Sequence, residues 1–447
     1  MSIQQIAFLL VLIAVSFVAF KRYSRLRRNI LLGKEVELIK DSASRWSNVL
    51  LVAFGQKKMF KNMIPAVLHF FIYAAFVITQ IELIEIIVDG VFGTHRFFAP
   101  SLGGFYTFII SFIEILSALA LVATIIFLWR RNLLKIPRFK KPEMKGWPTL
   151  DANLILIGEL MLLTGICCMN GADMVLQDMN AEHFHQTGNF AITGWLGPAL
   201  FGGMSESALI GVERFGWWLH ILTVFAFIIY LTYSKHLHVL LAFPNVFYAS
   251  LRSRGEMTNM PEIMNEVKSM MGLIPEAEVS ADTTEELPSF GAKDVFDLEW
   301  RTILNAYTCT ECGRCTEQCP ANITGKKLSP RKILMDIRDR VEEIGDNLDS
   351  GKVEMVDGVY DDGKSLFDYV SKEEIYACTA CNACVEACPV MIDPLAPIME
   401  MRRYDILNES AGPKDWLPMF NSIEQVGAVW QMPDARDKWT EQLEKKD

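Results

Sequence analysis

Eight cysteines form two runs with the same internal spacing, Cys-x-x-Cys-x-x-Cys-x-x-x-Cys-Pro. Three thiolates at this spacing bind three corners of a [4Fe–4S] cube, and the fourth crosses to a neighbouring cube. The sequence therefore predicts two [4Fe–4S] clusters with exchanged fourth ligands. The first is assigned to Cys309, Cys312, Cys315 and Cys388, and the second to Cys378, Cys381, Cys384 and Cys319.

Zinc sites and disulfides are the alternative uses of so many cysteines. A zinc site uses paired Cys-x-x-Cys or Cys/His sets and needs neither the third cysteine nor the trailing proline. Eight of the ten cysteines belong to the two runs, so a disulfide framework is disfavoured and a reducing compartment is indicated. The other two, Cys167 and Cys168, end an apolar stretch and are predicted to be buried apolar thiols.

The elements that must position these residues differ between the two halves of the 447-residue chain. Hydrophobic residues make up 51% and charged residues 21%, but the front half is apolar with basic loops and the back half is polar and acidic. A formal net charge of −10, without a basic stripe, argues against a nucleic-acid partner. The composition instead indicates a membrane domain followed by a soluble domain.

Five apolar stretches are each long enough to cross a bilayer of about 30 Å. They are Ile3–Phe20, Met63–Val88, Phe105–Trp129, Leu150–Met169 and Phe215–Ser234. Basic residues follow the first stretch and fill the loops at 56–61 and 130–145, so the positive-inside rule places the N-terminus outside and the C-terminus inside. This predicts a multi-pass protein of the bacterial inner membrane, in contact with lipid, with its iron–sulfur domain in the cytoplasm.

The predicted fold class is mainly α, a five-helix membrane bundle followed by an α-helical domain that carries the clusters. We divide the chain into a membrane domain (1–243), a surface helix with an acidic linker (244–293), a cluster domain (294–410) and a tail (411–447). Within the cluster domain, Ser329-Pro330 predicts a helix start. Ser371 and Glu374 predict a capping box before the second cysteine run.

Histidines in the spans are candidate cofactor ligands, because a polar side chain in a bilayer usually has a function. His220 and His238 are 18 residues apart, which is five turns of a continuous helix and places both on one face. His236 is then expected on the opposite face. His69 lies at the matching depth in the second span, so we pair it with His238 as axial ligands of a b-type haem. The alternative is core histidines bonded to Ser or Thr.

Carboxylates also fall within the apolar stretches. Glu114 and Glu159 lie near the middle of their spans, and Glu82 and Glu85 lie nearer the outside. A carboxylate at that depth costs about 2.5–3.5 kcal/mol on insertion scales, so it faces the bundle interior and usually has a task. We interpret Glu114, Glu159 and Glu82 as a candidate proton route. The alternative is a neutral Glu bonded to a neighbouring helix.

The five spans and the Lys235-x-x-His238 pattern resemble the gamma subunit of respiratory nitrate reductase and related cytochrome b membrane anchors. The two cysteine runs resemble the iron–sulfur subunits of heterodisulfide reductases. Similar fusions occur in membrane-bound oxidoreductases that link electron transfer flavoprotein to menaquinone. The resemblance implies a cytochrome b bundle, menaquinone as substrate, and a CCG-domain or flavoprotein partner subunit. A CCG domain would be on another chain, because no cysteine follows Cys388.

The resemblance also implies a second haem ligand about ten residues after His69. The sequence there reads Ile78-Thr79-Gln80 and offers no histidine, so one or two haems are expected. An outer haem at His220 would take its second ligand from the outer-loop histidines, His95, His183 or His185. Otherwise His220 and Glu82 would line a quinone site.

Two functions from different classes follow. In the favoured one, the chain is the electron-transfer subunit of a membrane quinone oxidoreductase. A cytoplasmic donor or acceptor, the clusters, haem b and menaquinone then exchange electrons, and the redox chemistry belongs to the cofactors. In the other, the chain is a redox-sensing or scaffold membrane protein without turnover.

Overall fold

The structure, a computed structural model, describes residues 2–274, 290–356, 358–430 and 437–441. Within these ranges the chain is mainly helical and forms no strand, only isolated bridges between Lys34 and Glu299 and between Val356 and Val359. The predicted fold class is confirmed: apolar helices come first, and the cluster domain follows. The part of the predicted linker at 275–289 lies outside the described residues.

The α-helices are numbered in chain order. In the membrane half they are α1 (Ile3–Ile30), α2 (Ser42–Asn48), α3 (Met63–Ile78), α4 (Gln80–Phe92), α5 (Ala99–Leu102), α6 (Gly104–Asn132), α7 (Trp147–Asp178), α8 (Thr193–Phe201), α9 (Glu206–Tyr230) and α10 (His238–Tyr248). A π-helical segment, Val49–Phe54, follows α2. The others are α11 (Pro261–Met270), α12 (Trp300–Thr308), α13 (Arg314–Glu317), α14 (Pro320–Ile323), α15 (Pro330–Ser350), α16 (Lys372–Ala377), α17 (Ala383–Ala387), α18 (Leu395–Leu407) and α19 (Leu417–Val426).

Five helical stretches in the described residues are long and apolar enough to cross a membrane, as predicted. They are Ile3–Ile30, Met63–Phe92, Gly104–Asn132, Trp147–Asp178 and Glu206–Tyr233. α7 lies at the centre of the bundle and packs against α6, α8 and α9, while α1 packs against α4 and α9. The fully buried Phe8 of α1 lies over Gly90 of α4, where an added Cβ would come within 2.6 Å of its ring. Gly90 is therefore needed for the close approach of these two helices.

The fifth span differs from the sequence-based expectation. α9 ends at Tyr230, and Ser234 has extended backbone angles (φ −113°, ψ 148°) before the new helix α10 begins at His238. The break is stabilised by the buried Asp151, which accepts hydrogen bonds from the Ser234 hydroxyl (2.6 Å) and the Lys235 N–H (3.1 Å). The predicted domain boundary at 243/244 consequently falls inside α10.

The cluster domain is built on a buried aliphatic core that includes Ile303, Ile337, Ile375 and Ile398. The predicted helix start at Pro330 and the Ser371/Glu374 capping box are both confirmed. Beyond the domain, Trp416 packs edge-on against Tyr376 with ring centroids 5.4 Å apart. The tail therefore contacts the cluster domain through this tryptophan.

The end of α1 docks directly on the cluster domain. Arg25 forms ion pairs with Glu342 (3.4 Å) and Asp346 (2.7 Å) of α15, and Asn29 donates a hydrogen bond to the Tyr307 hydroxyl (3.2 Å). Just beyond α1, an added Cβ at Gly33 would lie 2.6 Å from the Leu298 carbonyl oxygen. The basic flank of the first span and the cluster domain thus lie at the same end of the bundle, and residue 2 lies at the other.

Candidate functional site

The two cysteine runs form loops between the short helices of the cluster domain. Cys309 ends α12 and Cys315 lies in α13, while Cys378 ends α16 and Cys384 lies in α17. None of the ten cysteines forms a disulfide. No three His, Cys, Asp or Glu side chains in the described ranges stand at the spacing of a single-ion site, and a cube of iron and sulfide holds its four thiolates farther apart than one ion does.

Contacts between the runs connect the fourth thiol of each run with the opposite run. Cys309 and Cys388 belong to one small buried cluster, and Cys319 is close enough to Cys378 for its charge to help raise the pKa of that thiol. Burial and the neighbouring Cys312 raise the pKa of Cys388 to about 11. These are the neighbours that the exchanged fourth ligands require, although ligation itself stays a prediction. Raised thiol pKa values also mean that cluster binding must displace protons.

His69 and His238, predicted as a pair, lie together where the bundle meets the cluster domain. Their ring centroids are 6.4 Å apart and the rings are tilted by 40°. A metal–imidazole bond of about 2.0–2.1 Å places the centroids of two axial imidazoles about 6 Å apart. The spacing of the two rings therefore fits a pair of axial ligands on one iron.

The hydrogen bonds of these histidines have the pattern of metal ligands. The Nδ1 of His69 bonds Gln56 Oε1 (3.2 Å), and the Nδ1 of His238 bonds the Lys235 carbonyl oxygen (3.1 Å). A ligating histidine usually donates its other ring N–H to an oxygen, which fixes the ring orientation. Both side chains thus present Nε2 as the atom for a metal. Gln56, buried with φ of 50° in the loop before α3, was not predicted, and its positive φ is not visible in the sequence.

His69 and His238 line a cavity of about 390 Å³, which we call the histidine cavity; His236, Glu159 and Cys312 also line it. Ligand cavities typically measure about 300–1,000 Å³. The expectation that His236 lies on the helix face opposite His238 is wrong. It assumed one continuous helix, and the helix breaks at Ser234. The His236 ring lies 5.7 Å from the His238 ring, but its buried Nδ1 has no hydrogen-bond partner in the part of the chain that the structure describes.

His220 lies deeper in the bundle, where its Nδ1 bonds the Leu162 carbonyl oxygen of α7 (3.1 Å). The expected outer partners are not brought to it. His95 pairs with Asp173 (3.3 Å), which lies 11 residues further along α7, about 16 Å at the rise of an α-helix. His183 and His185 are exposed. The structure therefore does not support an outer haem at His220.

The predicted proton-route carboxylates have three different environments. Glu82 accepts a hydrogen bond from Asn170 (3.2 Å), about two helical turns along α7 from Leu162, and so does not meet His220. Glu114 accepts the backbone N–H groups of Ile192 (2.7 Å) and Thr193 (3.1 Å) at the start of α8. Glu159 lines the histidine cavity and has no hydrogen bond or ion pair with any described residue. The three carboxylates thus do not form one chain.

Lys235 joins the membrane bundle to the first cysteine loop. Its Nζ donates hydrogen bonds to the Pro148 carbonyl oxygen (2.6 Å) and to Glu311, which is buried between Cys309 and Cys312. Glu311 also pairs with Arg338 (2.8 Å). Burial raises the pKa of Glu311, but Arg338 and Lys235 outweigh it and leave the pKa below its usual value. The same lysine therefore orients His238 through its carbonyl and holds the cluster loop through its side chain.

Residues 308–392 match the family model of the 4Fe–4S dicluster domain. With the five apolar helices, this defines a membrane-associated protein that carries a two-cluster iron–sulfur domain. Cys167 and Cys168, predicted as buried, are half-buried in α7 and lie outside that domain.

Among curated proteins, the relatives are iron–sulfur oxidoreductases. The chain is 27% identical over 445 residues to the probable iron–sulfur-binding oxidoreductase FadF of Bacillus subtilis, across 92% of this chain and 57% of that protein. It is 25% identical over 446 residues to the EtfAB:quinone oxidoreductase of Syntrophomonas wolfei, across 95% of this chain and 57% of that protein. A probable membrane-anchored ferredoxin of Chromohalobacter salexigens is 32% identical over 142 residues, 28% of this chain and 20% of that protein.

The chain thus spans little more than half the length of the first two relatives. No solved structure matches it.

Proposed function

We propose that this chain is the electron-transfer subunit of a membrane quinone oxidoreductase. The two cysteine runs would hold two [4Fe–4S] clusters on the cytoplasmic side, and His69 and His238 would hold a b haem. These groups would supply electron transfer between a cytoplasmic donor or acceptor and menaquinone. The observation that carries the proposal is the histidine cavity, because its wall includes both histidines and Cys312 of the first cysteine run. One cavity thus links the haem ligands to the first cluster.

The residues of the chain bind and position the cofactors, while the clusters and the haem supply the redox chemistry. Gln56 and Lys235 orient the two imidazoles, and apolar side chains such as Phe76 and Phe127 line the cavity and exclude water. Glu159 is the side chain placed to exchange a proton at the cavity wall, as quinone chemistry requires. The likeness to the cytochrome b anchor of nitrate reductase stays part of this proposal.

The names of the relatives support the partners proposed for the chain. The Syntrophomonas protein is an EtfAB:quinone oxidoreductase, so we propose a flavoprotein of the electron-transfer type as the cytoplasmic partner and a quinone as the membrane partner. A CCG-domain subunit is the other candidate partner.

The proposal is tested by haem spectroscopy on the purified full chain. We expect a reduced-minus-oxidised b-haem spectrum that is lost in His69→Ala and in His238→Ala. The matched control is His236→Ala, which removes a neighbouring ring of the same cavity without an oriented Nδ1 and should keep the spectrum. An unchanged spectrum in both ligand variants would contradict the pairing.

Electron transfer is then followed in membrane vesicles. After the clusters are reduced with a low-potential reductant, the haem should become reduced, and a soluble menaquinone analogue should reoxidise it. Clusters that are reduced without any haem or quinone turnover would indicate a redox sensor instead.

A further inference from the structure

Arg314 is a buried arginine in the first cysteine loop. It lies between Cys312 and Cys315 at the start of α13, and only 7% of its surface is exposed. Together with Cys312 and His69, it lines the histidine cavity. Arg314 therefore shares this cavity with the first cluster loop and the candidate haem ligand.

Buried arginines are normally paired, because removing an uncompensated charge from water is costly. Two others in the cluster domain follow this rule: Arg331 pairs with Glu143 (2.7 Å), and Arg340 pairs with Asp362 (2.7 Å). The guanidinium of Arg314, in contrast, has no hydrogen bond or ion pair with any residue that the structure describes, and it lines the histidine cavity. Its charge is thus available to something in that cavity.

The same wall of the cavity carries further positive charge. Arg130, Arg131 and Arg138 line it, and the Nε atoms of Arg131 and Arg138 are buried without a hydrogen-bond acceptor among the described residues. Arg138 does pair with Glu317 (2.6 Å). The acidic Glu311 is already held by Lys235 and Arg338. An anionic ligand is therefore expected on this side of the cavity.

We propose that Arg314 and Arg131 bind the carboxylates of the haem propionates, which would orient the haem with its propionate edge toward the first cluster. The proposal rests on the proposed haem at His69 and His238. Guanidinium groups suit carboxylates because their planar N–H donors form charge-assisted, often paired, hydrogen bonds. The propionates would supply partners for the Arg314 guanidinium and for the Nε of Arg131, whose other donor already bonds the Pro148 carbonyl oxygen (3.1 Å).

Compensation of the negative charge of the first cluster is the competing role of Arg314, because its charge also reaches Cys312. The two roles differ in their dependence on propionate. A haem whose propionates are methyl esters keeps the iron and the ring but loses both negative charges.

The test titrates the full chain, prepared without haem, with protohaem and with its dimethyl ester, and follows the absorption of the bis-histidine haem. Wild type should bind protohaem about tenfold or more tighter than the ester, as expected for a hydrogen bond between charged groups. Arg314→Gln should remove most of this preference, and Arg314→Lys should keep part of it. The exposed Arg252→Gln is the control and should behave as wild type.

The outcomes separate this proposal from the proposed function. Equal binding of both haems to wild type, with a normal bis-histidine spectrum, overturns the propionate site but leaves the haem in place. Binding of neither haem overturns the proposed haem itself. If Arg314→Gln keeps the preference for protohaem over the ester while the reduction potential of the first cluster shifts, Arg314 compensates the charge of the cluster instead. If Arg314→Gln does not fold, the preference for protohaem over the ester is measured in Arg131→Gln and in wild type, and it distinguishes the same outcomes.

Discussion

The two ends of the membrane bundle bury polar groups in opposite ways. At the end away from the clusters, Arg96 bonds Asp173 (3.0 Å) and Asn170 (2.6 Å), and Glu85 accepts a hydrogen bond from the Tyr106 hydroxyl (2.6 Å). These charged side chains all have hydrogen-bond partners, although the Nδ1 of His95 and the Nε2 of Gln177 at the same end have none among the described residues. At the end that faces the clusters, Arg314, Glu159 and the Nδ1 of His236 lack partners among the described residues.

This difference separates polar residues that stabilise the bundle from polar residues that are available to bind a ligand. A buried charge that is fully paired needs no cofactor to explain it, whereas an unpaired one must be compensated by something. On this criterion the Arg96 network is structural and the histidine cavity is the functional end. Three predictions test the contrast.

The largest effect is expected from Arg96→Gln, at the end away from the clusters. Removing the guanidinium leaves Glu82 without a charged partner and Asp173 with His95 alone, which should cost about 3–5 kcal/mol of stability. We expect a clear drop in the thermal unfolding temperature in detergent. Because the network is remote from His69 and His238, the haem spectrum of the folded fraction should not change. A stable variant with an altered haem spectrum would place function at this end.

Much of the architecture could be predicted from the sequence because local patterns determine it. The five apolar stretches, the helix start at Pro330 and the Ser371/Glu374 cap depend on residues close together in the chain. The break at Ser234 depends on Asp151, which lies 83 residues away. No local sequence pattern shows that contact. The prediction that His220 and His238 share one face of a continuous helix is therefore wrong.

The closeness of His69 and His238 could be predicted from the sequence, but the surroundings of the candidate site could not. The pairing of His69 with His238 followed from their depth in the bundle, which a span assignment provides. The partners of the carboxylates did not follow, because Glu82 bonds Asn170 and Glu114 bonds Thr193 on other helices. A signal for Arg314 was present, since a charged residue inside a cysteine run has to be compensated once the loop is buried.

A smaller effect is expected at the cluster-facing end from Lys235→Met. The change removes the side-chain link between Pro148 and Glu311 but keeps the backbone carbonyl that orients His238. Glu311 retains Arg338, so we expect a stability loss of about 1–3 kcal/mol. The haem spectrum should persist while electron transfer from cluster to haem slows roughly tenfold or more, because the cluster loop is displaced.

Stopped-flow reduction of the haem after rapid mixing with a reductant measures this rate. Lys235→Arg keeps the charge and should restore most of the rate. A rate equal to that of wild type in Lys235→Met would show that the link has no role in positioning the loop.

The smallest effect on stability is expected from Glu159→Gln, and the matched variant is Glu114→Gln. Glu159 has no partner to lose, so Glu159→Gln should unfold at the wild-type temperature. Glu114→Gln weakens the acceptor for Ile192 and Thr193 and should cost about 1–2 kcal/mol of stability.

The two variants should rank the opposite way when the pH dependence of the haem midpoint potential is measured. Glu159 lines the histidine cavity and Glu114 is held by α8, so Glu159→Gln should flatten the dependence and Glu114→Gln should leave it intact. If Glu114→Gln flattens it instead, a carboxylate that is already bonded within the protein carries the proton, and the contrast between the two ends fails.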